Sequence, residues 1–271
     1  MLDINPIALQ LGPLKIHWYA LAYIAGIMLG YMFARMMVRR DPVSSAHITA
    51  ELLERYTFGH LIFGMILGGR LGHVIFYQPL HFMEHPLEIV MTWKGGMSFH
   101  GGLIGVLIAS YLFIRKHKIP FFSLMDVAAI ATPIGLGLGR LGNFINGELY
   151  GRVTDMPWGM VFPGAGDLPR HPAQLYEALA EGLLLFIILG ICFTKDKFRL
   201  KTGSISGLFL FFYGSFRFII EFYKDPVAQG SWEGALITHG HLLTLPMIIM
   251  GLILFHKSQR APLDTLPASP R

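Results

Sequence analysis

Seven long apolar segments constrain the fold of this chain more than any other feature of its sequence. Their lengths are close to the roughly 20 mainly apolar residues that a helix needs to cross a bilayer. They lie at residues 14–34, 57–77, 97–115, 124–142, 173–193, 203–222 and 242–256. A soluble domain of 271 residues, only 14% of them charged, could not bury so much apolar surface in one core. The sequence therefore predicts an all-α integral membrane protein with about seven transmembrane helices.

The apolar segments follow one another without an internal repeat or a long low-complexity stretch. We therefore expect one polytopic membrane domain at residues 1–257, with a polar excursion at about 143–171, and a short tail at 258–271. Residues 1–13 lack the basic region and short apolar run of a cleavable signal peptide. We expect the first apolar segment to remain as a span.

Lysine and arginine residues are divided unequally between alternate loops, and this division predicts the orientation of the chain. One set of loops, which includes the C-terminal tail, carries fourteen of them, and the other set carries five. We therefore expect a cytoplasmic C-terminus and an external N-terminus. The net charge of +5 could by itself indicate a nucleic-acid partner. Because the basic residues are arranged as topological anchors, we expect no nucleic acid to bind.

Three arginines lie inside apolar segments, where a charge is costly unless it is paired or hydrated. They are Arg70, Arg140 and Arg217. Glu221 follows Arg217 by four residues and lies on the same helix face, so the two form either a structural salt bridge or part of a functional site. Arg70 lies among glycines that allow close helix packing, and structural and functional interpretations are equally open for it.

The stretch from Gly137 to Arg152 concentrates polar side chains at the predicted outer end of the fourth span. It begins with a literal G-x-G-x-x-G, but a dinucleotide site needs a βαβ unit, which is not predicted here. We interpret the glycines as helix-packing positions that leave space beside Arg140. The polar residues that follow are Asn143, Asn146 and Glu148. Singly these could be solvated loop residues, but an arginine with nearby amides is suited to a phosphate or phosphodiester.

His100 begins the third span between glycine-rich stretches. A histidine in a membrane helix is usually a hydrogen-bonded structural residue, but it is also the side chain best suited to exchange protons near neutral pH. No G-x-S-x-G motif accompanies it, so we do not expect a serine esterase. His239 and His241 form the closest histidine pair but have no matching carboxylate or cysteine set, so we predict no metal site. Cys192 has no neighbouring base and is interpreted as lipid-facing or packing.

Five stretches of the chain carry a resemblance to a known family. They are His17–Tyr19, Gly96–Gly102, Gly139–Glu148, Arg170–Glu177 and Gly214–Glu221. In these the chain resembles the bacterial phosphatidylglycerol–prolipoprotein diacylglyceryl transferases, in order and over essentially its whole length. The Gly-Arg-Leu-Gly-Asn-Phe-Ile-Asn-Gly-Glu stretch is highly specific. One departure is His239-Gly-His241, where family members read Met-Gly-Gln, so a role for this pair stays open.

The resemblance implies an activity, its partners and a location. The sn-1,2-diacylglyceryl group of phosphatidylglycerol is transferred to the lipobox cysteine thiol in the signal peptide of a preprolipoprotein, forming a thioether and releasing glycerol phosphate. The protein is expected in the bacterial inner membrane, among membrane lipid, with seven spans and an active site that faces the periplasm. No metal or organic cofactor is expected, since the thiol nucleophile belongs to the substrate.

The resemblance also assigns roles to residues. His100 matches the family's proposed proton acceptor for the substrate thiol, Arg140 the signature arginine that holds phosphatidylglycerol, and Arg217 a second essential arginine. The predicted catalytic residues are His100, Arg140, Arg217 and Tyr19. The predicted substrate-binding residues are Arg140, Asn143, Asn146, Glu148, Gly151 and Glu221. A thiol reacts as its thiolate, so a nearby base helps, and fixed arginines would stabilise the leaving phosphate.

Two other functional classes remain as alternatives. An anionic-lipid transporter or flippase could line its path with buried arginines, but such folds are typically built from repeats with broken helices, and no repeat is found here. A purely structural membrane scaffold would not explain the concentration of polar residues after Gly137.

Overall fold

The fold is known from a computed structural model, which describes residues 5–12, 14–41, 47–227, 232 and 236–262. Within these ranges, seven helices are long and apolar enough to cross a membrane. They are α1 (Trp18–Arg40), α2 (Ala50–Phe76), α3 (Phe99–His117), α4 (Phe121–Asn146), α5 (Ala173–Phe193), α6 (Ser204–Glu221) and α7 (His239–Arg260). The prediction of an all-α membrane protein with seven spans is confirmed.

The start of the first predicted span was wrong. Residues 14–17 form not a helix but the second strand of a short antiparallel hairpin, β1 (Ile7–Leu11) and β2 (Leu14–His17). The sequence Leu-Lys-Ile-His alternates apolar and polar residues, which is the period of a strand. Gly12 takes a positive φ of 61° in the turn between the strands. The membrane helix therefore begins only at Trp18.

Smaller differences occur at other helix ends. The last helix extends from His239 to Arg260, three residues past the predicted start of the tail, and residues 263–271 of that tail lie outside the described residues. The helix α4 continues to Asn146, and so includes the first residues of the predicted polar excursion. Two helices contain a π-helical turn, at Thr57–Leu61 in α2 and at Ala178–Leu184 in α5. Such turns are rare and occur frequently at functional sites.

The chain divides into two compact units, and the first comprises residues 1–37 and 125–271. Its buried apolar core lies between α1, α4, α5 and α6. The core residues are Met37, Ala129, Ile130, Leu185, Leu189, Ile205 and Leu208, with Cys192 packed against them. In the same unit a Cβ at Gly182 would lie 2.6 Å from the Cα of Gly137, so glycines allow α4 and α5 to touch. This agrees with the interpretation of the G-x-G-x-x-G stretch as a helix-packing motif.

The second unit comprises residues 38–124 and is organised by the contact of α2 with α3. Glycines line this contact: a Cβ at Gly105 would lie 2.0 Å from the carbonyl oxygen of Gly64, and one at Gly101 would lie 2.4 Å from that of Gly68. The two backbones can approach this closely only because neither carries a side chain there. The connection between the two helices forms three short helices, at Pro79–Glu84, Pro86–Val90 and Thr92–Lys94.

Candidate active site

Three helices of the first unit bring six ionisable side chains together. The α4 helix contributes one cation, α5 two carboxylates and α6 a cation and a carboxylate, while a lysine lies three residues beyond the end of α6. We call these six residues the ion cluster: Arg140, Glu177, Glu181, Arg217, Glu221 and Lys224. The three glutamate side chains are fully buried, whereas those of Arg140 and Arg217 remain 19% and 17% exposed. The carboxylates of the cluster are therefore buried, whereas its two arginines are partly open.

Glu177 is the centre of the ion cluster. Its Oε2 lies 3.2 Å from Nε of Arg140, and its Oε1 accepts hydrogen bonds from Nη1 of Arg217 and, at 3.0 Å, from Nζ of Lys224. A buried carboxylate needs this kind of compensation, since an isolated charge in a low-dielectric interior is strongly disfavoured. Glu177 therefore holds two arginine side chains next to each other.

The other two carboxylates are held differently. Oε1 of Glu221 accepts a hydrogen bond of 2.7 Å from Oγ1 of Thr238, and its Oε2 lies 3.6 Å from Nη2 of Arg217. Glu181 lies 3.7 Å from Nη1 of Arg217 and 3.9 Å from Nη2 of Arg140. Neither oxygen of Glu181 accepts a hydrogen bond from the residues that the structure describes. The predicted pair of Arg217 and Glu221 therefore exists, but as one contact in a larger network.

Lys224 lies just beyond the last turn of α6, and its side chain is only 4% exposed. Burial lowers the pKa of Lys224 to about 7, and the nearby positive charges of Arg217 and Arg140 add to the effect. The ion cluster therefore contains a lysine whose charge can change near neutral pH.

A line of polar side chains continues from Arg140. Its Nη1 donates to Oδ1 of Asn143 at 3.4 Å, and Nδ2 of Asn143 donates to Oε1 of Glu148 at 2.8 Å. Nδ2 of Asn146 reaches the same carboxylate oxygen at 3.4 Å, and the backbone oxygen of Glu148 accepts from Gln174 at 2.6 Å. The four predicted residues of this motif thus form one connected hydrogen-bonded arc at the end of α4.

Tyr19 and Gly151 lie beside this arc. A Cβ at Gly142 would lie 3.2 Å from Cδ2 of Tyr19, so the ring rests on the end of α4, and its hydroxyl donates to that of Tyr23 at 3.0 Å. Gly151 has a structural reason to be glycine, because a Cβ there would lie 2.3 Å from the carbonyl oxygen of Tyr223. Its backbone N–H donates to His171 at 2.8 Å. Direct substrate binding by Gly151 stays a prediction.

His100 belongs to the second unit. It lies in the first turn of α3, which is capped by Ser98: the hydroxyl oxygen of that residue accepts a hydrogen bond of 3.2 Å from Gly101. The His100 side chain is exposed, and its ring contacts that of Phe99. The glycines that follow it pack against α2. Its role as a proton acceptor stays a prediction.

Arg70, in the second unit, has a complete set of partners. Its Nε donates to Ile89 at 2.9 Å, its Nη1 to Gly95 and Gly96 at 2.5 and 3.0 Å, and its Nη2 to Glu88 and Met91 at 2.5 and 3.4 Å. All five acceptors are backbone carbonyl oxygens. Because a guanidinium has five N–H groups, this set uses every donor that Arg70 has. We therefore assign Arg70 a structural role, holding the connection between α2 and α3.

His241 also has a structural place in the fold. The side chain is fully buried, and its Nδ1 accepts a hydrogen bond of 3.1 Å from the backbone N–H of Thr238. Together with the Thr238 side chain, this forms a capping box at the start of α7. His241, which differs from the Gln of the family's Met-Gly-Gln, therefore caps α7 next to Thr238. Thr238 is the residue that donates a hydrogen bond to Glu221.

Sequence reasoning assigned no site role to Glu177, Glu181, Lys224 or Thr238, although Glu177 ends one of the five stretches that carry the resemblance. A signal for the two glutamates was present, because both lie in the fifth apolar segment, where a carboxylate is as costly as an arginine. Lys224 follows Glu221 by three residues and could have been noted for that spacing. Thr238 offers no such signal.

Comparisons with known proteins agree on one family. The sequence model of the family described as prolipoprotein diacylglyceryl transferase matches residues 6–257. A phosphatidylglycerol–prolipoprotein diacylglyceryl transferase of Rhodospirillum rubrum is 48% identical over 261 residues, which cover 95% of this chain and 93% of that protein. The protein of the same name from Rickettsia felis is 46% identical over 256 residues, covering 94% of this chain and 97% of the relative. One from Wolbachia pipientis is 45% identical over 255 residues, covering 94% and 95%.

Proposed function

The chain belongs to the prolipoprotein diacylglyceryl transferase family, and we propose that it carries out this reaction at the ion cluster of the first unit. It is a multi-pass membrane enzyme that transfers the diacylglyceryl group of phosphatidylglycerol to a prolipoprotein. The observation that carries the placement is the pair of partly exposed arginines, Arg140 and Arg217, held next to each other by Glu177.

Arg140 and Arg217 are proposed to hold the phosphodiester of phosphatidylglycerol. Both have guanidinium forks that can bind phosphate oxygens in pairs, and both retain exposed surface beside the carboxylates that hold them. The arc of Asn143, Asn146 and Glu148 supplies amide donors and a carboxylate acceptor, which suit the hydroxyl groups of the glycerol headgroup. Tyr19, beside the end of α4, is proposed as a further catalytic residue, and Glu221, beside Arg217, as a further substrate-binding residue.

The proposed reaction is a substitution at the glycerol carbon that carries the phosphate ester. The lipobox cysteine thiol loses its proton, for which the resemblance alone proposes His100 as the acceptor, and the thiolate sulfur attacks that carbon. A carbon–sulfur bond forms, the carbon–oxygen bond to phosphate breaks, and glycerol phosphate leaves with the bonding electrons. Fixed arginines suit this step, because negative charge grows on the leaving phosphate in a site with little water.

The proposed location is the inner membrane of a bacterium, with the C-terminus in the cytoplasm. The unequal division of lysine and arginine between alternate loops supports this orientation. In that topology the last turns of α4 and α6 face the periplasm, as does the excursion after Asn146. We further propose that residues 1–257 form the membrane domain and residues 258–271 a cytoplasmic tail.

The test is transfer of labelled diacylglyceryl from phosphatidylglycerol to a lipobox peptide by purified protein. We expect wild type to label the cysteine. In Arg140→Ala the rate of diacylglyceryl transfer should fall by at least about 100-fold. Arg55→Ala is the matched control, since Arg55 is an exposed arginine that pairs only with Glu51 among the described residues. Full activity of Arg140→Ala would contradict the proposal that the phosphate of phosphatidylglycerol binds at the ion cluster. Lipid translocation by a folded wild type that transfers nothing would favour a transporter instead.

A further inference from the structure

With all six of its side chains ionised, the ion cluster has no net charge before any substrate enters it. Its three cations, Arg140, Arg217 and Lys224, face three carboxylates. A phosphodiester carries one negative charge, so phosphatidylglycerol bound between the two arginines, as in the proposed function, would leave one excess negative charge. An uncompensated charge in a buried site is costly, and a carboxylate in such a site escapes the cost by taking up a proton.

Glu181 is the carboxylate of the cluster whose charge has the weakest support. Glu177 contacts three cations, and Glu221 accepts a hydrogen bond of 2.7 Å from Thr238. Glu181 has only ion pairs of 3.7 and 3.9 Å, and among the described residues no group donates a hydrogen bond to either of its oxygens. Its side chain is fully buried, so water outside the protein does not stabilise the charge either.

The two cations nearest to Glu181 are the two that the lipid phosphate would use. Arg140 faces it from α4 and Arg217 from α6, so a phosphate that binds these arginines competes directly with Glu181 for them. The other charged or titratable groups that act on Glu181 are Glu177 one turn earlier on α5, Glu221 and Tyr213 on α6, and Lys224. Of these, Lys224 alone is a cation.

We propose that Glu181 takes up one proton from solvent when phosphatidylglycerol binds and releases it when glycerol phosphate leaves. The neutral carboxyl group restores the charge balance and frees the arginines for the phosphate. Glu181 is thus a positioning residue that acts through Arg140 and Arg217, and no bond of the lipid is made or broken in this step. The inference rests on the proposed function, because it needs the phosphate between these two arginines.

The experiment is a titration of the full-length protein in detergent micelles with short-chain phosphatidylglycerol, without peptide. Calorimetry in two buffers of different ionisation enthalpy counts the protons bound. We expect about one proton per lipid, and an affinity that weakens about tenfold per pH unit where Glu181 is ionised in the free protein. The Glu181→Gln variant mimics the protonated carboxyl group. At pH values where Lys224 keeps its charge, it should bind lipid with near-zero proton uptake and less than about twofold change in affinity.

Lys224 is the competing titratable group, because losing its charge at high pH would also weaken binding of an anion. The Lys224→Arg variant keeps the positive charge at every accessible pH and serves as the matched control. We expect it to retain the proton uptake. Loss of the uptake in Lys224→Arg, or its persistence in Glu181→Gln, would overturn the inference.

A measurement on wild type alone tests the inference even if the Glu181→Gln variant does not fold. Difference infrared spectra should show a new protonated carboxyl band when phosphatidylglycerol is added, and this band should shift in D₂O, unlike the ester bands of the lipid. Intact lipid binding without this band, and without proton uptake, would overturn the inference while leaving the transferase assignment in place. Failure of wild type to bind or transfer the lipid would instead contradict the proposed function.

Discussion

Two regions of this protein bury an arginine inside an apolar segment, and they satisfy its charge in opposite ways. Arg70, only 5% exposed, donates all five of its N–H groups to backbone carbonyl oxygens. Arg140 and Arg217 instead face carboxylates and keep nearly a fifth of each side chain exposed. The first arrangement leaves no donor for a ligand, whereas the second has partners that a phosphate can replace.

This contrast shows how to interpret an arginine in a membrane span. Burial alone marks it as a candidate for function, because the charge is costly wherever it lies. The kind of partner then separates the two roles. Backbone carbonyls are fixed by the surrounding fold and hold an arginine permanently. Carboxylates resemble a phosphate in charge and geometry, so a phosphate can replace them as partners of the arginine. Lysine substitutions keep the charge but remove the fork, so they test the contrast directly.

The largest effect is expected from Arg217→Lys. A lysine keeps one positive charge near Glu177 but lacks the planar fork, so it cannot bind a phosphate bidentately while it also pairs with Glu177. We expect the rate of transfer to a lipobox peptide to fall by about 100- to 1,000-fold, while the Tm in detergent changes little. Arg217→Lys could instead destabilise the protein while the molecules that stay folded keep normal activity. In that case Arg217 would have a structural role like Arg70, and the two regions would not differ.

Arg70→Lys should show the reverse pattern. A lysine offers three donors where Arg70 offers five, so at least two carbonyl oxygens lose their partner. We expect the free energy of unfolding to fall by about 2–3 kcal/mol, measured by thermal or denaturant unfolding in detergent. The affinity of the folded protein for phosphatidylglycerol should remain within about twofold of wild type. A folded Arg70→Lys variant that had lost lipid affinity would show that Arg70 also binds lipid.

Sequence predicted the helices and the cations of this protein better than it predicted their partners. Seven apolar segments, the Arg217–Glu221 spacing and the polar arc after Arg140 all follow from local patterns, and the structure contains them. The centre of the ion cluster was missed because Glu177 joins three cations from other parts of the chain. No local pattern records such contacts.

The partners of Arg70 were hidden for a different reason. All of them are backbone carbonyls, which every residue carries, so no residue type in the connection between α2 and α3 identifies them. The strand at residues 14–17 was missed because its apolar residues also fit the start of a span. Both features depend on tertiary structure. From sequence patterns alone, Arg70 could be structural or functional, and residues 14–17 could be a strand or the start of a span.

Thr238→Val tests the hydrogen bond to Glu221, which in turn pairs with Arg217. The variant keeps the shape of the side chain but removes the hydroxyl that donates to Glu221 at 2.7 Å. A hydrogen bond to a charged group contributes about 1.5–3 kcal/mol, so we expect transfer to fall by roughly tenfold or more. The variant also removes the Thr238 side chain from the capping box of α7, so the Tm of the variant is measured beside its activity. Thr244→Val is the control: it removes a buried hydroxyl from the same helix, one that donates to the backbone of His241. Equal losses in both variants would mean that the effect is on α7 and not on Glu221.

The smallest effect is expected from Glu88→Gln, in the connection that Arg70 holds. The Glu88 side chain pairs with Lys94 and His81 near the surface, and hydrogen bonds from these two residues lower its pKa to about 2. Because this pKa lies below the unfolded value, the pair stabilises the fold above about pH 4.5 and loses that contribution as the pH falls toward about 2.

At neutral pH, Glu88→Gln should lower the Tm by no more than about 2 °C, because exposed ion pairs contribute little. The substitution keeps the backbone oxygen of Glu88, which accepts from Nη2 of Arg70. Thermal melts at neutral pH and at about pH 3 should therefore show a small difference between variant and wild type that narrows on acidification. A loss as large as that of Arg70→Lys would mean that ion pairs, and not the carbonyls around Arg70, hold this connection in place.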